Sequence, residues 1–160
     1  RDLHSFPTRR SSDLEPADIQ GVELQWQQSF GGGFGMLLNY TFTDAKVDPV
    51  PGQPKLKLQG NSEDQLNASV YFENDRFSAR LSYNYRSDAY GALTMGSQIV
   101  TDAYEQLDAT ASWSLTEDIS VFVAAVNVTN EVIFQRTDDG IPVGFYENGP
   151  RYSVGARVKF

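Results

Sequence analysis

Apolar and polar residues alternate at every second position along much of this chain, and the pattern is clearest at the C-terminus. Even positions from Tyr152 to Phe160 are apolar, whereas odd positions from Arg151 to Lys159 are cationic or small. A period of two predicts a strand with one apolar and one polar face. Related patterns predict six earlier strands, at about 19–29, 34–45, 64–73, 76–87, 104–115 and 119–129.

The stretch 119–129 is the exception, because it is apolar on both faces and its facing stays open. If Asn127 pointed to the polar side, strict alternation would put Phe122 on the apolar side. The terminal strand and the other stretches carry no such ambiguity. The sequence therefore predicts seven strands, six of them with an assigned apolar face.

Short and long connections alternate between these strands. The predicted short turns are 28–34, 73–76 and 116–118, and the predicted long connections are 46–63, 88–103 and 130–149. Gly31, Gly32 and Gly33 favour a turn, and the alternative of a phosphate-binding loop lacks the Lys and helix that it needs. Outer-membrane barrels have short periplasmic turns and long extracellular loops. The alternation predicts such a topology, with Phe160 on the periplasmic side.

The aromatic residues provide an independent check of this topology, because the topology follows from the lengths of the connections alone. They sort to the two ends of the predicted strands, as the two interfaces of a membrane require. The periplasmic-end group is Trp26, Phe34, Phe72, Phe77, Trp113 and Phe160, and the outer-end group is Tyr40, Phe42, Tyr83, Tyr85 and Tyr152.

The C-terminal segment YSVGARVKF resembles the assembly signal that ends outer-membrane barrels. The matching positions are Tyr152, Gly155, Val158 and Phe160. Together with the motifs at 127–131 and 82–87, this segment resembles the C-terminal end of TonB-dependent receptors. The resemblance covers about residues 15–160.

This resemblance implies an all-β fold, an antiparallel up-and-down transmembrane β-barrel fragment with about the last seven strands of a barrel of about 22. It implies energy-dependent uptake of a bulky, scarce solute, such as a ferric siderophore, vitamin or glycan, across a Gram-negative outer membrane. The implied partners are outer-membrane lipid, the barrel-assembly machinery, and the TonB complex acting through an N-terminal plug that lies upstream of this sequence. The implied location is the outer membrane, as a multi-pass barrel.

The first fourteen residues do not share the pattern of the rest. Residues 4–14 resemble one reading frame of a sequencing-library adapter, and they lack both periodicity and the apolar core of a signal peptide. A basic N-terminal arm is the alternative interpretation. We interpret 1–14 as an adapter-derived artefact and 15–160 as the barrel segment, which leaves the sequence a fragment.

Composition excludes several classes of function. The net charge of −8 argues against a nucleic-acid partner, and the lack of Cys removes disulfides and thiolate chemistry. No run of about 18 apolar residues exists to form a membrane helix. Neither a catalytic constellation nor a cofactor or metal site is indicated. Asp138 and Asp139 offer a weak alternative as Ca²⁺ ligands, but no ligand repeat accompanies them.

Two groups of residues are candidates for function. Arg80, Arg86, Arg151 and Arg157 fall on the predicted lumen face, where pairing with Glu23, Asp108 or the plug is favoured over attraction of an anionic ligand. Aromatic residues on mobile connections at an outer mouth are better candidates for ligand contact. These candidates are Tyr90, Tyr104, Phe134, Phe145 and Tyr146.

Two other classes of protein stay open. A non-energised barrel, either a porin or a structural anchor, would share the same wall but would have no plug. A soluble all-β binding domain would need the apolar faces of its sheets to meet in one core. The arrangement of the apolar faces therefore discriminates the soluble domain from the two barrels.

Overall fold

The computed structural model describes residues 17–47 and 56–160, and these residues form eleven strands. The strands are β1 Ala17–Gly31, β2 Phe34–Val47, β3 Asp64–Glu73, β4 Phe77–Arg86, β5 Ala89–Thr94, β6 Ser97–Thr101, β7 Tyr104–Ser114, β8 Ile119–Val126, β9 Val132–Thr137, β10 Pro142–Glu147 and β11 Arg151–Val158. The described residues include no helix long and apolar enough to cross a membrane.

Seven of the strands form one antiparallel sheet, the wall, in the order β1-β2-β3-β4-β7-β8-β11. These are the seven predicted strands, and their bounds lie within about three residues of the prediction. Tight turns join them at one end. At the first turn, Gly31, Gly32 and Gly33 all have positive φ, and a strand rather than a helix follows, which removes the phosphate-loop alternative.

The register gives the wall one apolar face. One row across the sheet pairs Phe72 with Ala79 and Val123 with Val154, and Ala111 lies between them. These side chains stay open to the outside, and Val154 is 80% exposed. Each large apolar side chain left in water forgoes about 1.5–3 kcal/mol of burial. The wall therefore has an apolar face without a second sheet covering it, contrary to the soluble-domain alternative.

The aromatic residues lie at the two ends of the wall, as the sequence predicts. At the end with the tight turns, the ring centroids of Phe34 and Phe72 are 4.7 Å apart, and those of Phe72 and Phe77 are 6.1 Å apart. At the other end, the Tyr40 hydroxyl donates to Asp64 at 2.5 Å and the Tyr83 hydroxyl donates to Glu105 at 2.6 Å. Apolar rings therefore gather at one end, whereas hydrogen-bonded phenols gather at the other.

The structure decides the facing of β8. Phe122 pairs with Ser112 and Gly155, so it lies on the polar face, and Val121 and Val123 lie on the apolar face. The alternation of faces does not extend from Phe122 to Asn127, because β8 ends at Val126 and Asn127 has a φ of 56°. Alternation does not continue through a residue in the left-handed region.

Aromatic rings cover two wall glycines from the neighbouring strand. A Cβ on Gly155 would lie 2.3 Å from Cζ of Phe122, and a Cβ on Gly35 would lie 2.3 Å from Cζ of Tyr71. Each ring and its glycine are direct register partners. Such pairs are a known way to protect a strand glycine and to fix register.

Two of the three predicted long connections lie where the sequence predicts them but contain strands that it does not predict, and residues 48–55 of the first connection lie outside the described residues. The connection at 88–103 contains β5 and β6, and the connection at 130–149 contains β9 and β10. These four strands form a second sheet, which we call the cap sheet, in the order β10-β9-β6-β5. Their strands have five or six residues, too short for a pattern that stands out beside turn residues.

A substitution at Gly155 tests the aromatic–glycine pair. Gly155→Ala is expected to lower the free energy of unfolding by about 1–3 kcal/mol, because the new methyl group overpacks against Phe122. The measurement is equilibrium unfolding of the intact receptor in detergent. Gly144→Ala is the control, since nothing lies within 4 Å of its added Cβ. Equal stability of the two variants would contradict close packing of Phe122 against Gly155.

Candidate functional site

The cap sheet is built from connections that leave different places in the wall. The β5–β6 hairpin joins β4 to β7, and the β9–β10 hairpin joins β8 to β11. They meet through β6 and β9, where Val100 pairs with Arg136 and Thr101 with Gln135. Val100 is 1% exposed, and no other hydrophobic residue among those described is buried. The best-packed point in the structure therefore lies in the cap sheet, outside the wall.

The first long connection joins the cap sheet along β5. Ser62 forms an isolated antiparallel bridge with Ala89, and the Gly60 amide donates to the Tyr90 carbonyl at 2.7 Å. Lys57 adds an ion pair to Glu63 at 2.9 Å, and its ammonium lies 4.5 Å from the centroid of the Tyr90 ring. All three long connections are thus in contact, through residues 56–63 of the first.

Arg136 ties the third connection to the second by charge. Its Nε lies 2.6 Å from the Asp102 carboxylate, and its Nη2 lies 2.9 Å from Asp88. All three side chains are about one-third exposed, so water screens the attraction in part. Two charged hydrogen bonds from one planar guanidinium fix both distance and angle.

Lys57, among the described residues outside the wall strands, has a shifted pKa. Hydrogen bonding to Glu63 raises the pKa of Lys57 above its ordinary value. The raised pKa means that this ion pair stabilises the folded state below pH about 10.5, and the contribution is lost as the pH rises further. The Lys57 ammonium is therefore charged at neutral pH.

The predicted ligand-contact aromatics do not form one cluster. Phe134 and Phe145 are direct partners across β9 and β10, so their rings share a face, and Phe145 is 68% exposed. Tyr146 pairs with Ile133 on the opposite face of the hairpin. Tyr90 lies under Lys57, on β5.

Tyr104 differs from the other four candidates because it lies in the wall. It is the first residue of β7, its hydroxyl donates to Gln106 at 2.8 Å, and the Arg86 guanidinium lies 5.7 Å from its ring centroid. An open cleft of about 260 Å³ borders it and Arg151. Tyr104 thus lines a polar cleft below the cap sheet and is not a loop residue.

The four predicted lumen-facing arginines lie on the polar face of the wall by register. Arg80 and Arg86 lie over aromatic rings, 5.8 Å from the Tyr71 centroid and 5.7 Å from the Tyr104 centroid. Arg151 pairs with Val126 in register, and Arg157 with Ser120. In the described part of the chain, no carboxylate lies within ion-pair distance of these four arginines. Pairing with Glu23 or Asp108 is therefore absent.

Asp108 has another role, which sequence reasoning missed. Its carboxylate accepts from the Asn127 amide at 2.9 Å and from Gln106 at 2.7 Å. The Asn127 side chain, 3% exposed, accepts from the Glu131 amide and donates to the Glu131 carbonyl. This network shapes the exit from β8 into the third connection. The sequence motif at 127–131 indicated that this segment matters, but it did not predict these hydrogen bonds.

The two candidate metal ligands, Asp138 and Asp139, lie in the turn between β9 and β10. The Thr137 hydroxyl donates to the Asp139 carboxylate, and the Asp138 amide donates to the Gln98 carbonyl. Within residues 17–47 and 56–160, no three His, Asp or Glu side chains are grouped to hold a metal ion. The described residues thus give the Ca²⁺ alternative no support.

The residues that resemble an assembly signal lie along β11 and just after it. Tyr152 and Val158 are exposed on the apolar face, and Phe160, beyond the end of the strand, is fully exposed. Gly155 lies on the other face, under Phe122. The outer edge of β11 pairs with no strand in the described part of the chain.

Removal of the Arg136 guanidinium tests the link between the second and third connections. Arg136→Ala is expected to weaken the β6–β9 pairing by about 1–3 kcal/mol, because Asp88 and Asp102 lose charged hydrogen bonds. Hydrogen exchange of the amides at 97–101 and 132–137 measures the effect. Arg76→Ala, in the turn between β3 and β4, is the control. Unchanged exchange in the Arg136 variant would rule out a contribution of the guanidinium to this pairing.

Comparison with known proteins agrees with this geometry. A search of the curated proteins found no match. The chain is similar to the crystal structure of the siderophore receptor PiuA from Acinetobacter baumannii, with 13% identity and a TM-score of 0.65. That similarity covers 88% of this chain but 21% of the PiuA chain.

The family model that describes the β-barrel of TonB dependent receptor-like proteins matches residues 7–129. The matched range begins within the stretch interpreted as adapter-derived, which lies outside the described residues, and it ends before β9. It includes six of the seven wall strands. The chain belongs to the TonB dependent receptor-like β-barrel family.

Proposed function

We propose that this chain forms part of the wall and outer mouth of an outer-membrane transporter that takes up a bulky, scarce solute. The observation that carries the proposal is the wall itself, whose apolar face is open while its polar face holds the arginines. A lipid environment covers such a face without a second sheet. The proposed location is the outer membrane of a Gram-negative bacterium.

The two edges of the wall support a larger barrel. The outer edges of β1 and β11 pair with no other strand among the described residues. In hydrocarbon each unpaired backbone group costs several kcal/mol, so only closed barrels are stable there. The chain spans about a fifth of the length of the PiuA chain. We propose that further strands close the barrel and that an upstream plug couples it to the TonB complex.

The polar face is proposed to line the lumen of this barrel. Arg80, Arg86, Arg151 and Arg157 would then face the plug, and the aromatic partners of Arg80 and Arg86 hold those two guanidinium groups in place. We favour a structural role against plug carboxylates over ligand binding, because a plug that filled the lumen would remove water from these guanidinium groups, and a desolvated charge needs an acidic partner.

The ligand is proposed to meet the outer face of the cap sheet first. Phe134 and Phe145 share one face of an exposed hairpin, and aromatic side chains bury much area at little entropic cost. A ferric siderophore is the ligand class we propose, with a vitamin or a glycan as alternatives. The structural similarity to PiuA, a siderophore receptor, supports this choice.

A non-energised barrel, either a porin or an anchor, is the second candidate. It would use the same wall and would need no plug. Uptake by the intact receptor in a host with and without TonB separates the two, with ⁵⁵Fe-labelled catecholate and hydroxamate siderophores as probes. Uptake that depends on TonB supports the transporter. Uptake unaffected by loss of TonB would instead favour the porin.

Replacement of Phe160 tests the proposed assembly signal. Phe160→Ser in the intact receptor is expected to reduce its level in the outer membrane several-fold, because the barrel-assembly machinery would lose its terminal contact. Phe160 is fully exposed, so the change removes little packing within the chain. Immunoblots of membrane fractions measure the level, and Lys159→Gln is the control. Equal levels of the two variants would count against the signal.

Replacement of Phe145 tests the proposed ligand contact. Phe145→Ser is expected to raise the Kd for the bound ferric siderophore about tenfold, as loss of an exposed aromatic anchor does at other binding surfaces. Val143→Ser is the matched control, since Val143 is also exposed on β10. The measurement is fluorescence titration with ferric siderophores. If both variants bind like the parent, the ligand contacts another surface.

A further inference from the structure

The side chain of Gln98, in β6, makes the hydrogen bonds that the backbone of a neighbouring strand would make. Its Nε2 donates to the Lys57 carbonyl at 2.8 Å, and its Oε1 accepts from the Lys57 amide at 3.1 Å. This two-way exchange with one residue reproduces a hydrogen-bonded pair of an antiparallel sheet. The same Nε2 also donates to the Gly91 carbonyl at 3.0 Å.

The backbone of Gln98 makes contact with the third connection. Its carbonyl accepts from the Asp138 amide at 2.9 Å, just beyond β9. One residue therefore contacts all three long connections, through Lys57 in the first, Gly91 in the second and Asp138 in the third. Its side chain is 3% exposed, so these bonds are shielded from water.

Residues 56–63 of the first connection also contact the cap sheet through β5. They contain no strand, and the Gly60 amide, the Ser62 bridge and the Lys57–Tyr90 contact join them to β5. Loss of the Gln98 amide would break both backbone hydrogen bonds between Lys57 and Gln98 and leave the Lys57 amide and carbonyl without these partners. Gln98 thus supplies two of the hydrogen bonds that hold this segment.

The cap sheet is complete without a bound molecule. In the part of the chain that the structure describes, no buried side-chain nitrogen or oxygen lacks a hydrogen-bond partner. Val100 is fully packed two residues from Gln98, and Arg136 already has two carboxylate partners. No buried side-chain polar group among the described residues of this region needs a ligand to satisfy it.

We propose that Gln98 is the positioning residue of the outer mouth, which holds residues 56–63 and the second and third long connections as one preassembled unit that meets the ligand as a rigid body. This proposal rests on the proposed function for the identity of the mouth. A preassembled surface binds without the entropic cost of ordering loops. Gln98 acts through the connections and does not itself contact the ligand.

The test uses spin labels on the intact receptor in detergent. Gln59→Cys and Met95→Cys place labels on exposed positions of the first and second connections, and these 160 residues contain no native Cys. We expect one narrow distance peak between the labels in the parent. Gln98→Ala is expected to lose that narrow peak, whereas the exposed wall variant Gln65→Glu is expected to keep it.

Gln98→Glu adds a reversible test that a folding defect cannot imitate. An ionised carboxylate would face the carbonyls of Lys57 and Gly91, whereas a protonated carboxyl can donate to Lys57 and accept from it. Burial raises the pKa of such a carboxyl, so the connections are expected to separate above that pKa and to close as the pH falls below it. The ionisable residues on the contacting segments are Lys57, Glu63, Tyr90, Arg136, Asp138 and Asp139.

Three outcomes decide the proposal. Loss of the narrow peak in Gln98→Ala, with its return in Gln98→Glu between about pH 8 and about pH 5, supports the positioning role. An unchanged narrow peak in both variants at both pH values overturns it, as does a peak that is lost and does not return. These distances require no ligand, so a failure of siderophore uptake would overturn the proposed function while leaving this result intact.

Discussion

The pairing of backbone hydrogen bonds between neighbouring strands is the constraint on which the rest of this structure depends. Each wall strand from β2 to β8 pairs on both sides, so its N–H and C=O groups are satisfied without water. Side chains are then free to divide by face, apolar on one side and polar on the other. In the proposed membrane setting this division is required, because hydrocarbon can neither pair a backbone group nor solvate a charge.

Different interactions stabilise the two sheets. The wall is held by long backbone ladders and has little packing of its own, since its large apolar side chains are exposed. The cap sheet has strands of five or six residues, and side chains complete it: Gln98 replaces a missing backbone partner, and Arg136 binds two carboxylates. Short strands in water need such additions, because an isolated hairpin is only marginally stable.

This difference bears on how the proposed transporter would work. The wall is a scaffold whose geometry follows from the strands, whereas the cap sheet determines which side chains face outward and where. Phe134 and Phe145 share a face only because β9 and β10 pair in the observed register, and β9 is fixed in turn by β6. The residues that present the aromatics are therefore distant in sequence from the aromatics themselves.

The sequence by itself determined the seven wall strands, their order, the tight turns and the sorting of aromatics to the two ends. It could do so because side-chain period and turn chemistry are local properties, readable within a dozen residues. The family resemblance came from the same local patterns near the C-terminus.

Only the tertiary structure decided the facing of β8, the pairing of the cap strands and the role of Gln98. Phe122 is assigned to the polar face by its partners Ser112 and Gly155, and β8 alone is apolar on both sides. Gln98 is an ordinary glutamine until Lys57, forty-one residues away, lies against it. Such contacts depend on long-range pairing, which no pattern within one segment can specify.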